Sequence, residues 1–158
     1  MPTFLSRTLL FRTLSFRTFL SLPLTLGFAA CSTTTPALEA RNLWTSKNLT
    51  SYAYTLQRSC FCPSEITKAM RLEVRNASLT SIKYIDSGLD VPANFQPTNL
   101  FKIEAFFDLI DSTRAKGGTV GNLKFDAVFG YPTQMNLDPI PLAVDDETYY
   151  FLTDLKAL

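Results

Sequence analysis

The sequence contains no histidine. This absence excludes catalytic sites built on Ser-His-Asp or Cys-His pairings, zinc sites with imidazole ligands, and pH switches based on histidine. The phosphate-binding loop, the G-x-S-x-G nucleophile elbow and the G-x-G-x-x-G dinucleotide fingerprint are also missing. The residues therefore predict no catalytic machinery and no cofactor, and we expect a non-enzymatic role.

Charge is scarce and unevenly placed along the chain. The sequence has 15 basic and 14 acidic residues, but Arg7, Arg12 and Arg17 lie within the first 30 residues, which contain no acid. Without that segment, 12 basic and 14 acidic residues remain. They form no basic patch, so nucleic acid is not an expected partner.

The first 30 residues have the layout of a secretory signal peptide. Three arginines precede an uncharged stretch, residues 18–30, that ends in small side chains, and this is the order of regions in such peptides. A helix that spans a bilayer needs roughly 20 apolar residues. The uncharged stretch is shorter than that and contains Pro23. We therefore predict that residues 1–30 direct export and are then removed.

Cys31 directly follows Ala29 and Ala30. This arrangement resembles the bacterial lipobox, in which a cysteine after small residues is lipidated, although Phe28 stands where leucine is usual. We therefore predict lipidation at Cys31, which makes the membrane a partner and the protein an anchored lipoprotein of the bacterial cell envelope. The alternative is cleavage without lipidation, which would give a secreted or periplasmic protein.

The rest of the chain is predicted to be a lipid-anchor cysteine with a polar tether, residues 31–41, and one domain, residues 42–158. Helical spacing of apolar residues marks segments 36–48 and 100–116. Strand signals mark segments 51–61, 67–76, 78–86, 120–126, 133–138 and 147–155. Short turns favour antiparallel pairing. The expected fold is α+β, with an antiparallel sheet of about five to six strands and two helices packed on one face.

Cys60 and Cys62 flank a single residue, Phe61, at the predicted end of a strand. In an exported protein two neighbouring cysteines are expected to form a disulfide. Alternate residues of a strand lie about 6.5 Å apart, whereas a disulfide places its Cβ atoms about 3.8 Å apart, so the backbone must kink. A structural disulfide is favoured, and a redox-active pair and a soft-metal site such as Cu(I) are the alternatives.

Acidic and aromatic residues lie in and beside the turns of the C-terminal strands. Hard cations such as calcium take carboxylate and carbonyl oxygens from such turns, but the spacing matches no EF-hand loop. Solvated surface acids are the more common reason for this pattern. An aromatic residue on a turn can bind a ligand or cap the edge of the core. The candidate ligand- or ion-binding residues are Asp126, Tyr131, Asp138, Asp145, Asp146 and Glu147.

A set of motifs spread over the domain is shared with a known family. The motifs are Tyr54, Cys60-Phe61-Cys62-Pro63, Phe125-Asp126, Gly130-Tyr131-Pro132, Asp138 and Asp145-Asp146-Glu147. Together they resemble the domain-of-unknown-function 6174 family of bacterial secreted proteins and lipoproteins, over roughly residues 43–155. The resemblance implies export and the limits of the domain, and it implies no activity.

Three functional hypotheses follow from the sequence. The favoured one is a non-enzymatic envelope domain that binds a partner protein or the cell wall. The alternatives are a thiol-redox module that uses Cys60 and Cys62, and a domain stabilised by calcium.

Overall fold

Three α-helices and six β-strands make up the part of the chain that the computed structural model describes, residues 35–97 and 99–158. The helices are α1 (Pro36–Ser46), α2 (Ser64–Thr67) and α3 (Ile103–Ala115), with a 3-10 turn at Ala93–Phe95. The strands are β1 (Tyr52–Ser59), β2 (Met70–Arg75), β3 (Ser78–Tyr84), β4 (Thr119–Phe125), β5 (Pro132–Asp138) and β6 (Thr148–Ala157). The predicted signal peptide and Cys31 lie outside the described residues.

All six strands form one antiparallel sheet in the order β3-β2-β1-β6-β5-β4. The predicted α+β class is thereby confirmed. The start of β1 lies beside the end of β6, and the end of β1 lies beside the start of β6. We call the end of the sheet that contains the start of β1 and the β4–β5 turn the turn end. The opposite end, which contains the end of β1 and the β5–β6 loop, is the disulfide end.

Alternation along the strands decides which face of the sheet is buried. In β1 the side chains of Tyr52, Tyr54 and Leu56 all turn into the core and are at most 2% exposed. The apolar stripe of α3 packs on the same face, because residues spaced by three and four along a helix share one side. The other buried core residues of the strands and α3 include Met70, Leu72, Val74, Ile103, Phe106, Phe107, Ile110, Met135, Leu137, Tyr150 and Leu152. Each contributes about 1.5–3 kcal/mol through removal from water.

Helix α1 lies within the predicted helical segment 36–48 and overlaps residues 36–41 of the predicted tether. Thr35 caps it by accepting a hydrogen bond from the Leu38 N–H, and Pro36 occupies its first turn, where the missing N–H costs nothing. Ala37 and Ala40 are buried. Residues 36–41 are therefore part of the packed domain, because the apolar side of α1 needs α3 and the sheet to cover it.

Two strands depart from the simple sequence pattern. The strand predicted at 67–76 begins only at Met70, because Ser64–Thr67 forms α2. The alternation of β3 places Thr80 on the inner face with Ile82, yet Thr80 is exposed. The cause is an irregularity in the β2–β3 register that sets Leu79 opposite Val74, since a bulge reverses the alternation beyond it.

None of the described helices is long and apolar enough to cross a bilayer.

Candidate functional site

Residues 60–62 form a tight turn at the end of β1. Cys60 and Cys62 are joined by a disulfide with their Cα atoms 5.3 Å apart. The Cys62 N–H donates to the Cys60 carbonyl at 2.9 Å, which closes a three-residue γ-turn and supplies the kink that the spacing requires. Phe61 lies at the apex and is 86% exposed. The disulfide thus holds an aromatic side chain out in solvent.

The β5–β6 loop lies next to this turn. Ser59 pairs with Tyr149 across the sheet, and a cleft of about 370 Å³ is lined by Cys60, Phe61, Asp145 and Glu147 in addition to these two residues. Within the loop, Leu142 and Val144 are 100% and 84% exposed, and Ile140 is exposed as well. We call Phe61, Ile140, Leu142 and Val144 the apolar group of the disulfide end.

Four of the six candidate ligand- or ion-binding residues lie in or beside the same loop. Asp145 and Glu147 line the cleft, and the Oδ2 atom of Asp146 accepts from the Ile140 N–H at 3.0 Å. The Oδ1 atoms of Asp138 and Asp146 are buried and have no hydrogen-bond partner. In the described part of the chain, no three Asp, Glu or Cys side chains lie close enough together to hold a metal ion.

Asp126 and Tyr131 lie at the other end of the sheet, separated from the loop by the length of β5, about 20 Å. Asp126 Oδ1 accepts from the N–H groups of Val128 and Phe129 at 2.9 and 2.7 Å, so it builds the turn in the manner of an Asx turn. Tyr131 is 5% exposed, and burial raises the pKa of its hydroxyl. The six candidates therefore do not form one site.

Gly130 explains why the turn end is so tightly packed. Its φ of +82° is in the left-handed region, which L side chains rarely adopt. A Cβ there would lie 2.9 Å from the backbone nitrogen of Trp44 and closer still to the carbonyl oxygen of Ala40. The backbone of the β4–β5 turn therefore contacts the backbone of α1 directly.

The exposed apolar residues of the β5–β6 loop escaped sequence reasoning. Pro139 and Pro141 indicate that a strand ends here. They do not indicate that the neighbouring Ile140, Leu142 and Val144 are exposed to solvent. The useful signal is the composition of the loop itself, because three large apolar residues among prolines and acids cannot all be covered by a segment of this length.

The motifs of both ends lie within one family match. The model of a family of unknown function, DUF6174, matches residues 37–157, which run from the first turn of α1 to the end of β6. No curated protein and no solved structure matches the chain. Because the match covers most of the sequence, the chain belongs to the domain-of-unknown-function 6174 family.

Proposed function

We propose that this protein is an exported lipoprotein of the bacterial envelope, anchored through Cys31, whose domain binds a partner protein without catalysing a reaction. The observation that carries the proposal is the apolar group of the disulfide end. Phe61, Leu142 and Val144 are each at least 84% exposed, and the two loops that carry them line one cleft through Phe61, Asp145 and Glu147. Apolar side chains held in water at one place are typical of surfaces that bind another protein.

The disulfide suits such a role for an entropic reason. Fixing the backbone of one loop residue on binding costs about 1–2 kcal/mol, and a residue whose backbone is already fixed avoids much of this cost. The γ-turn at Cys60–Cys62 fixes the backbone of Phe61 before a partner arrives. Asp145 and Glu147 beside it favour a partner with basic residues around an apolar hollow, since complementary charge guides association.

Site-specific photo-crosslinking in the producing cell tests the binding surface. A benzophenone amino acid at position 61 is expected to give a discrete crosslinked protein, as is one at position 142. The matched control is position 128, because Val128 is 62% exposed but lies in the turn at the opposite end. Equal crosslinking from positions 61 and 128, or none from 61 and 142, would contradict the proposal.

Intact mass of the membrane-extracted protein tests the anchor. We expect the mature chain to begin at Cys31 with a lipid mass added, and Cys31→Ser to abolish both the added mass and flotation with membranes. Cleavage near Ala30 with an unmodified thiol would instead indicate the secreted or periplasmic alternative. The same spectrum reports whether Cys60 and Cys62 are oxidised, because a disulfide lowers the mass by two hydrogens.

Calcium stabilisation is the second candidate. It is favoured by the two buried, unpartnered carboxylate oxygens of Asp138 and Asp146, which flank the β5–β6 loop. A ligand that binds only the native state must raise its stability. If the melting temperature is the same in chelator and in millimolar calcium, this candidate fails, and Asp146→Asn is the variant that should remove any rise.

A further inference from the structure

A large, mainly apolar cleft lies where α1 begins. It has a volume of about 680 Å³ and runs between the first turn of α1 and the edge strand β4. Pro36, Ala37, Leu123 and Phe125 supply its apolar walls. We call this cleft the N-terminal groove. Because β4 is an edge strand, no further strand of the described sheet covers this side of the groove.

Two cations complete the lining of the N-terminal groove. Arg114, in the last turn of α3, and Lys124 on β4 are both exposed. Within the described residues neither has a carboxylate within 4 Å. Close to the groove, Asp111 of α3 is already paired with Arg41 of α1 at 2.7 Å. The charge left uncompensated at the groove is therefore positive.

The length of chain before the groove limits what can cover it. Thr35 lines the groove, and Cys31 precedes it by four residues. Four residues span at most about 14 Å even when fully extended. Charges act over about 10 Å in 0.1 M salt, so a membrane that holds a lipid on Cys31 lies almost within electrostatic reach of Arg114 and Lys124.

We propose that the N-terminal groove docks on the headgroups of an anionic lipid surface. Arg114 and Lys124 contact lipid phosphates, and Leu123 and Phe125 lie against the apolar part of the interface, as in other peripheral contacts that combine basic and apolar residues. This inference rests on the proposed anchor at Cys31. It adds a defined orientation of the domain, because one face then contacts the membrane and the domain does not rotate freely about its tether.

Tryptophan fluorescence of the full lipidated protein tests the orientation. The native Trp44 is the only tryptophan and is 2% exposed, so it supplies a constant background. We expect Leu123→Trp to be strongly quenched by brominated lipids in vesicles of phosphatidylglycerol and phosphatidylcholine. Leu142→Trp, at the disulfide end, is the matched control and should not be quenched. Equal quenching of the two variants, or of neither, would overturn the proposal.

Charge reversal separates docking from anchoring. Arg114→Glu combined with Lys124→Glu should lower the quenching of Leu123→Trp severalfold, as should high salt, while flotation with the vesicles is unchanged. Lys68→Glu combined with Lys156→Glu changes the charge equally but lies outside the groove, and it should have no effect. Flotation without quenching refutes docking alone, whereas loss of flotation with unmodified Cys31 refutes the anchor.

A second measurement needs no tryptophan variant. Photoreactive phosphatidylglycerol should crosslink to peptides that contain residues 35–41 and 119–125 of the otherwise unmodified protein. Crosslinks spread evenly over the domain would contradict the proposal even if Leu123→Trp failed to fold.

Discussion

The two ends of the sheet use their turn and loop residues in opposite ways. At the turn end, Asp126 bonds its own turn, Tyr131 is buried, and Gly130 contacts α1, so each motif residue stabilises the fold. At the disulfide end, Phe61 stands in solvent and Asp146 keeps an unpartnered oxygen. Residues that lie within the same family match therefore need not share a role, and changes at the two ends should separate stability from binding.

The largest expected effect is at the turn end. Gly130→Ala should lower the free energy of unfolding by about 3 kcal/mol, because it adds a left-handed alanine and drives a Cβ into the backbone of α1. The control is Gly88→Ala, which has a φ of +70° but nothing within 4 Å of the new Cβ. It should cost about 1 kcal/mol. Urea unfolding measures both, and equal losses would show that the α1 contact does not matter.

The next largest effect on stability is expected in alkaline solution, and it again involves residues at the turn end. Burial raises the pKa of Tyr52 to about 12, with the hydrogen bond from the Ile103 N–H opposing the shift and Glu104 adding to it. Burial also raises the pKa of Tyr54. Because the pKa is higher in the folded state, the stabilisation is complete below the unfolded pKa of about 10 and is lost as the pH rises through about 12.

Urea unfolding at a series of pH values checks this prediction. Stability should fall between about pH 10 and 12, and Tyr52→Phe should reduce the steepness of that fall. Tyr149→Phe is the control, since Tyr149 is 38% exposed at the disulfide end. An unchanged slope in Tyr52→Phe would contradict the assignment.

Loss of the disulfide should have a smaller effect on stability than the Gly130 change. The bond closes a loop of only three residues, and loop entropy then assigns it about 1.6 kcal/mol. We expect Cys60→Ser with Cys62→Ser to remain folded in thermal unfolding but to lose crosslinking from position 61. A reduction potential above about −300 mV would favour the redox-module alternative instead.

The smallest effect on stability is expected from the apolar group of the disulfide end. Leu142→Ser removes a fully exposed side chain and should change stability by no more than about 0.5 kcal/mol. It should nevertheless weaken partner crosslinking from position 61. If stability falls by much more than this, the loop packs against the domain and is not a free binding surface.

Local periodicity made most of the fold predictable. The alternation of Tyr52, Tyr54 and Leu56 and the stripe of α3 each report burial directly, and both were sufficient to find their elements. The order of strands was not predictable, because alternation identifies a buried face but not the neighbour. The exposure of Thr80 depends on a bulge whose register is set by pairing with β2, which no local pattern records.

The candidate site was predictable only in part, for a similar reason. The cysteine pair was predictable because a spacing of one residue determines how the backbone must bend for a disulfide to form. The division of the six candidate residues between two ends was not, because the direction of β5 within the sheet decides that Asp126 and Asp138 lie apart. The burial of Tyr131 likewise depends on tertiary contacts that its turn motif does not encode.

The spacing of the disulfide also bears on how the protein is made. Cys60 and Cys62 are separated by one residue, and the kinked turn between them brings their sulfur atoms together without closing a long loop. The remaining cysteine of the sequence is Cys31, the predicted site of lipidation. A thioether bond to the lipid would prevent Cys31 from taking part in thiol–disulfide exchange. In an exported chain whose Cys31 carries a lipid, Cys60 and Cys62 have no other cysteine of this sequence to pair with, so the bond needs no disulfide isomerase to correct it.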